Sequence, residues 1–102
     1  MEIKKDKFKL KRGKYSRIIN LHCRICKEKI LVYQKDGPGN LRRAYFDRIF
    51  EPKKLTNLQN KNLKEIPSLK CKGCKEVIGT PYIYKKENRK AFKIYQDALI
   101  KL

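Results

Sequence analysis

Tryptophan is absent from the 102 residues, histidine occurs once, and only 10 residues are acidic. Without tryptophan, the core must take its apolar volume from Tyr, Phe, Ile and Leu. The one histidine, His22, adjoins a cysteine, and the few carboxylates are outnumbered by cations that keep them ionised, so we find no convincing pair of nucleophile and general base. The sequence therefore predicts a protein that is not an enzyme and has no small-molecule substrate.

Long apolar runs and an apolar signal segment are missing as well. No stretch has the length of a membrane-spanning helix, and no amphipathic segment with a basic face stands out as a membrane anchor. The first residues read Met-Glu-Ile-Lys-Lys, which does not resemble an apolar leader. We therefore expect a cytoplasmic protein without a membrane partner, in a reducing compartment where disulfides are rare.

All four cysteines fall into two Cys-x-x-Cys pairs, Cys23 with Cys26 and Cys71 with Cys74. A gap of two residues lets both sulfurs of a pair face one ion, and two such knuckles supply the tetrahedral four-thiolate shell that zinc accepts. A closed shell leaves no position for an activated water, so the metal would build structure and not perform chemistry. The sequence predicts one Zn²⁺ ion that stabilises a body too small to be comfortable without it.

Other uses of the four cysteines stay open from the sequence alone. An all-sulfur tetrahedron also suits redox-active iron, and four cysteines can in principle form two disulfides. His22 is an alternative ligand only if one cysteine does not bind, so we expect it to be a spectator.

Short apolar segments follow each knuckle and indicate β-hairpins. Residues 18–22 and 29–34 predict a first hairpin, and residues 77–84 and 91–95 predict a second, although a helix over 92–102 also fits the spacing. Residues 41–50 fit strand or helix, and we favour strand, whereas residues 51–70 indicate an irregular connection. The predicted core consists of Ile30, Val32, Tyr33, Phe46, Ile49, Ile78, Ile83, Phe92 and Ile94.

The two knuckles with their hairpins resemble the zinc-ribbon class, small β-rich modules in which two knuckles hold one ion. This resemblance covers residues 18–95 and implies a small, mostly-β fold. We expect a basic N-terminal arm over residues 1–17 and a zinc-ribbon domain over residues 18–102, with a long insertion at about residues 35–70. Zinc ribbons occur in ribosomal proteins, transcription factors, polymerase subunits and rubredoxin-like carriers, so the resemblance specifies the metal better than the function.

Positive charge dominates the chain, with 28 Lys and Arg residues and a net charge of +18. Such a polycation is typical of proteins that neutralise nucleic-acid phosphates. The candidate contacts in the arm are Lys4, Lys5, Lys7, Lys9, Lys11, Arg12, Lys14 and Arg17. Those in the insertion are Lys35, Arg42, Arg43 and Arg48, around a Gly-Pro-Gly turn. A solvated tail and an ordinary turn with solvated arginines are the alternative interpretations.

Three tyrosines, Tyr45, Tyr82 and Tyr84, have the chemistry to stack on unpaired bases, although most aromatic residues in so small a protein belong to the core. Together these features predict an RNA-binding ribonucleoprotein component, most simply a ribosomal protein or ribosome-associated factor that contacts rRNA phosphates and is monomeric within its complex. The alternatives are a DNA-binding or RNA-polymerase-associated transcription module, and an adaptor whose ribbon recruits a protein.

Overall fold

The computed structural model describes residues 2–11 and 15–102, which form short β-strands with little helix. The strands are β1 Ser16–Cys23, β2 Lys29–Asp36, β3 Arg43–Tyr45, β4 Ile49–Glu51, β5 Leu69–Lys70, β6 Val77–Tyr84, β7 Arg89–Ile94 and β8 Leu99–Lys101. A five-residue helix, α1 Lys7–Lys11, precedes them. The 3-10 turns lie at Phe46–Arg48, Lys53–Leu55, Leu58–Asn60 and Leu63–Glu65. The predicted small, mostly-β fold is confirmed.

The strands form two four-stranded antiparallel sheets, in the orders β4-β2-β1-β8 and β3-β7-β6-β5. The β1–β2 hairpin carries the first knuckle at its turn and confirms the first predicted hairpin. The β6–β7 hairpin confirms the second. Strand β8 pairs with β1, with Leu99 opposite Cys23, so the helix considered for the C-terminal segment is wrong.

The segment 41–50 contains two short strands, in line with the strand favoured from the sequence, but it does not form one continuous strand. Strand β3 pairs with β7 in one sheet, and β4 pairs with β2 in the other. The turn Phe46–Arg48 carries the chain between the two sheets. Residues 51–70 are an irregular series of 3-10 turns that ends in the two-residue strand β5, close to the prediction.

One cluster of buried apolar side chains contains residues of both sheets. Phe46 and Phe92 meet edge to face at its centre, with ring centroids 4.7 Å apart. The prediction that Ile83 belongs to the core is wrong, because Ile83 lies near the β6–β7 turn and is 40% exposed. Ile94, also predicted to be in the core, is only partly buried.

Within residues 2–11 and 15–102, no helix has the length and apolarity to cross a bilayer.

Candidate metal centre and basic surface

The sulfurs of the two cysteine knuckles lie together, and all four are within 4.8 Å of one another. Cys23 ends β1 and Cys26 lies in the following turn, while Cys71 and Cys74 occupy the equivalent places between β5 and β6. The first cysteine of each pair is buried and the second reaches the surface. The predicted gathering of the two pairs, separated by 44 residues in the sequence, is confirmed.

Two close sulfur contacts join one knuckle to the other. Cys23 Sγ lies 3.7 Å from Cys74 Sγ, and Cys26 Sγ lies 3.3 Å from Cys71 Sγ. A tetrahedral ion with metal–sulfur bonds of about 2.3 Å places its ligands about 3.8 Å apart. The four cysteines are therefore positioned to bind one metal ion, and the donor set is compatible with Zn²⁺.

Both knuckles follow the pattern Cys-x-x-Cys-Lys-Glu and repeat the same backbone hydrogen bonds. The amides of Lys27 and Lys75 donate to the carbonyls of Cys23 and Cys71, at 2.9 and 3.0 Å. The amide of each first cysteine donates to the carbonyl five residues later, at 2.8 and 2.9 Å. Both lysines adopt positive φ, 68° and 67°, which turns the chain sharply back into the next strand. The short repeat thus specifies a local geometry as well as ligands.

The sulfurs compete for protons because they are so close to one another. The backbone amide of Cys74 donates to the Cys71 sulfur and, with the amide of Gly73, lowers the pKa of the Cys71 thiol to about 7 although burial opposes this. The backbone amide of Glu76 acts in the same direction on Cys74, yet burial and the neighbouring sulfurs raise the pKa of the Cys74 thiol to about 12. A divalent cation resolves this competition, because it binds all four sulfurs as thiolates.

Gly73 has a steric role beside the sulfurs. A Cβ atom at this position would lie 3.3 Å from Cys26 Sγ, tighter than about nine in ten such contacts in proteins. The equivalent residue of the first knuckle, Ile25, points outward and is 56% exposed.

His22 lies outside the sulfur cluster, in agreement with a spectator role. Its Nδ1 lies 2.9 Å from the carbonyl oxygen of Lys27, the residue with positive φ in the first knuckle. The imidazole thus contacts the knuckle backbone and not the sulfurs.

Arg48 is predicted to contact nucleic acid, and this prediction is wrong. Its side chain is only 1% exposed, and it donates to Asp36 Oδ2 at 2.9 Å and to Asp6 Oδ1 at 2.6 Å. Burial alone would lower the pKa of Arg48, but the hydrogen bonds to Asp6 and Asp36 raise it. The physical reason for the error is that two carboxylates, distant in sequence, hold this cation in the interior.

The prediction that Lys35 contacts nucleic acid is also wrong. The residue is 8% exposed, and its ammonium donates to the carbonyl of Gly37 at 2.8 Å. It therefore supports the Gly-Pro-Gly turn from within instead of presenting charge to solvent.

Arg89, which the sequence does not mark as special, forms a second buried cation. Its guanidinium lies between the rings of Phe8 and Tyr45, at 3.9 and 3.6 Å from their centroids. It donates to Asp47 at 2.6 Å and to Glu87 at 3.0 Å. Tyr45 is therefore a core residue and is not available to stack on a base.

Arg42 and Arg43 lie on a cleft of about 800 Å³ between the two sheets. Arg42 is exposed, whereas Arg43 is half-buried and donates to the hydroxyl of Tyr82 at 2.9 Å. The guanidinium of Arg43 lies 4.0 Å from the centroid of the Tyr84 ring. The two tyrosines thus orient an arginine, and Lys93, exposed on β7, adds a charge that sequence reasoning missed.

The described part of the basic arm packs on the body. Gln34 accepts from the Lys4 amide at 2.6 Å and donates to the Lys4 carbonyl at 3.0 Å. Asp6 caps α1, since Asp6 Oδ1 accepts from the amides of Phe8 and Lys9. Among the predicted contacts, Lys4, Lys5, Lys7 and Lys11 are exposed and Lys9 is half-buried, while Arg12 and Lys14 lie outside the described residues.

Arg17, the last residue of the predicted arm, is half-buried and belongs to β1, which begins at Ser16. Its guanidinium lies near Tyr15, 5.6 Å from the ring centroid. The arm therefore continues directly into a sheet.

The chain matches no protein-family model, no curated protein and no solved structure.

Proposed function

We propose that the chain is a non-catalytic zinc protein that binds structured RNA, as a ribosomal component or a ribosome-associated factor contacting rRNA phosphates. The observation that carries this proposal is the separation of charge between interior and surface. The buried arginines take up a large share of the few carboxylates, and most of the remaining cations face outward.

Two cations account for four of the ten acidic residues. Arg48 and Arg89 contact the carboxylates of Asp6, Asp36, Asp47 and Glu87. The other 26 Lys and Arg residues therefore face only six acidic residues that these two arginines do not bind. Unpartnered, such a surface repels itself, and a phosphate backbone both neutralises it and releases condensed counterions.

The cleft with Arg42, Arg43 and Lys93 supports an ordered contact and not only a diffuse attraction. Tyr82 and Tyr84 hold the Arg43 guanidinium from two sides, so little side-chain freedom is lost when it meets a phosphate. Arg42 adds an exposed charge beside it. The arrangement suits a phosphate held in a forked contact.

The metal centre supports a structural role for the ion. Four thiolates on Zn²⁺ carry a net charge of −2, and the surrounding lysines Lys27, Lys72 and Lys75 offset it. With all four positions filled by cysteine, zinc would hold the knuckles together and leave the basic surface to make contacts.

Co-sedimentation with ribosomal particles, followed by binding to purified rRNA, tests this function. We expect Arg42→Ala with Arg43→Ala to weaken RNA binding about tenfold or more, and Lys85→Ala with Lys86→Ala, which removes equal charge at the β6–β7 turn, to weaken it about twofold. Circular dichroism of both variants checks that they are folded. The log of the affinity should fall by about 0.7 to 0.9 per phosphate contact per unit of log salt concentration.

Recovery with RNA polymerase or chromatin, combined with absence from ribosomal particles, would favour the transcription alternative. A flat salt response, or equal effects of the two double variants, would contradict phosphate contact at the cleft.

A further inference from the structure

A second groove, of about 470 Å³, lies beside the Cys71 knuckle and is separate from the arginine cleft. Its apolar lining comes from Ile30, Leu55, Leu58, Ile66, Leu69 and Phe92, of which Leu55 is half-buried and the others are at most 8% exposed. These residues belong to β2, to the irregular connection and to the second hairpin, so the long insertion between the knuckles forms one wall. Among residues 2–11 and 15–102, none lines both the groove and the cleft.

Lysines surround this apolar lining. Lys54, Lys61, Lys70, Lys72 and Lys75 are all exposed at its edges. Glu65 is the only acidic side chain among the described residues that line it. Lys29 also borders the groove but pairs with Glu51 at 3.5 Å. A groove with an apolar floor and a positively charged rim suits a ligand that combines an apolar group with negative charge.

The lining does not suit an unpaired base. Base recognition uses an accessible aromatic face for stacking and polar groups that read the base edges. The one aromatic residue here, Phe92, is 1% exposed and packs on Phe46. The side chains of the apolar lining are aliphatic apart from this ring, which suits an aliphatic side chain of a protein.

We propose that this groove binds an acidic segment of a partner protein, which inserts an aliphatic side chain between the walls and sets its carboxylates against the rim lysines. Hydrogen bonds hold in place the wall that the insertion forms. Lys90 Nζ donates to the carbonyls of Gln59 and Lys61, at 3.3 and 2.6 Å, which ties the insertion to β7. The knuckle that holds Cys71 forms the other side, so metal binding maintains the groove. The partner thus engages a surface distinct from the proposed RNA contact.

The test is a ¹⁵N NMR titration of the metal-loaded full chain with the peptide acetyl-Glu-Asp-Glu-Leu-Asp-Glu-Asp-amide. We expect amide shifts at Leu55, Ile66 and Leu69. Replacing the peptide's leucine by serine should weaken binding about tenfold, as expected when one buried aliphatic side chain is lost.

Charge reversal in the protein supplies the matched comparison. Lys54→Glu with Lys61→Glu should weaken peptide binding about tenfold or more, whereas Lys85→Glu with Lys86→Glu, which makes the same change outside the groove, should weaken it about twofold. Arg42→Ala with Arg43→Ala should leave peptide binding unchanged even where RNA binding fails, which separates this proposal from the proposed function. Equal binding of the serine peptide, equal loss in both reversal variants, or displacement of the peptide by oligouridylate at comparable concentration would overturn the proposal.

Discussion

Arg48 Nε donates to Asp36 Oδ2 at 2.9 Å, and the two side chains are only 1% and 4% exposed. The same guanidinium donates to Asp6 at 2.6 Å, where the carboxylate is 38% exposed. One buried cation therefore joins the end of β2, the turn between the sheets and the N-terminal arm. Removing either carboxylate leaves charge in the interior with fewer partners, and the two carboxylates differ in how well water can replace them.

Asp36→Asn should lower the free energy of unfolding of metal-loaded protein at pH 7 by about 3 kcal/mol, because it leaves the buried Arg48 partly uncompensated. Chemical denaturation measures this change. The control is Glu51→Gln, which breaks the exposed pair with Lys29, in which both side chains are 48% exposed, and should cost less than about 1 kcal/mol. Equal effects of the two substitutions would contradict a structural role for the buried pair.

The stability difference between wild type and Asp36→Asn should depend on pH only in acid. Burial alone would raise the pKa of Asp36, but hydrogen bonds from Ser16, Gln34 and Arg48 hold the pKa below 3.8. A carboxylate with a lowered pKa stabilises the fold above its unfolded value of about 3.9, and this stability is lost as the pH falls through the folded value. The difference should be constant from pH 7 to 5 and shrink only below about pH 4. The comparison uses only pH values at which elemental analysis shows that both proteins keep the metal, because metal release unfolds the knuckles.

Asp6→Asn should release the arm while leaving the two sheets intact. This substitution removes the charge that binds Arg48, whereas the Asn side-chain oxygen can still cap α1, so we expect a cost of about 1 kcal/mol from the lost charged hydrogen bond. Hydrogen exchange of residues 7–11 should accelerate severalfold, with little change in β6 and β7. Glu2→Gln is the matched control, and acceleration of equal size in that variant would show that Asp6 does not hold the arm.

Gly73→Ala should weaken metal binding, since the added methyl group would lie 3.3 Å from Cys26 Sγ and displace a ligand. Changes in the residues that position metal ligands typically cost about 10- to 100-fold in affinity. Competition against a chromophoric chelator measures the effect. Ile25→Ala, at the equivalent but exposed position of the first knuckle, should leave affinity unchanged, and the reverse order would show that the knuckles are oriented differently.

Removing the metal should unfold the knuckles. Binding free energy in structural zinc sites is on the order of 10 kcal/mol and is also folding free energy, which a chain of this size lacks otherwise. A strong chelator, or Cys71→Ser, should abolish the far-ultraviolet circular dichroism of the sheets. Retention of the full spectrum after verified metal removal would show that the two sheets stand without the ion.

The sequence specifies the metal centre well because its signal is local. Two residues between cysteines set the knuckle, and the repeated Lys-Glu that follows each pair accompanies the same turn. The hairpins were also predictable, since β-branched and aromatic residues flank each turn. The switch of sheet at Phe46–Arg48 was not, because periodicity within ten residues cannot show which strand each half will pair with.

Most errors at the candidate site concern cations. Arg48, Lys35 and Arg42 look alike in the sequence, but only Arg42 is exposed. What separates them is the position of carboxylates and carbonyls brought close by the fold, such as Asp6, which lies 42 residues before Arg48. Composition predicts the total charge, while the pairing that buries part of it depends on tertiary structure.

Elemental analysis of native protein, purified without chelators or added metal, tests most directly the claim that one structural ion joins the two halves of the chain. The account predicts about one zinc per chain, no iron, and no thiol reactive toward a disulfide reagent until the zinc is removed. One iron per chain with no zinc, or four freely reactive thiols in folded protein, would contradict it.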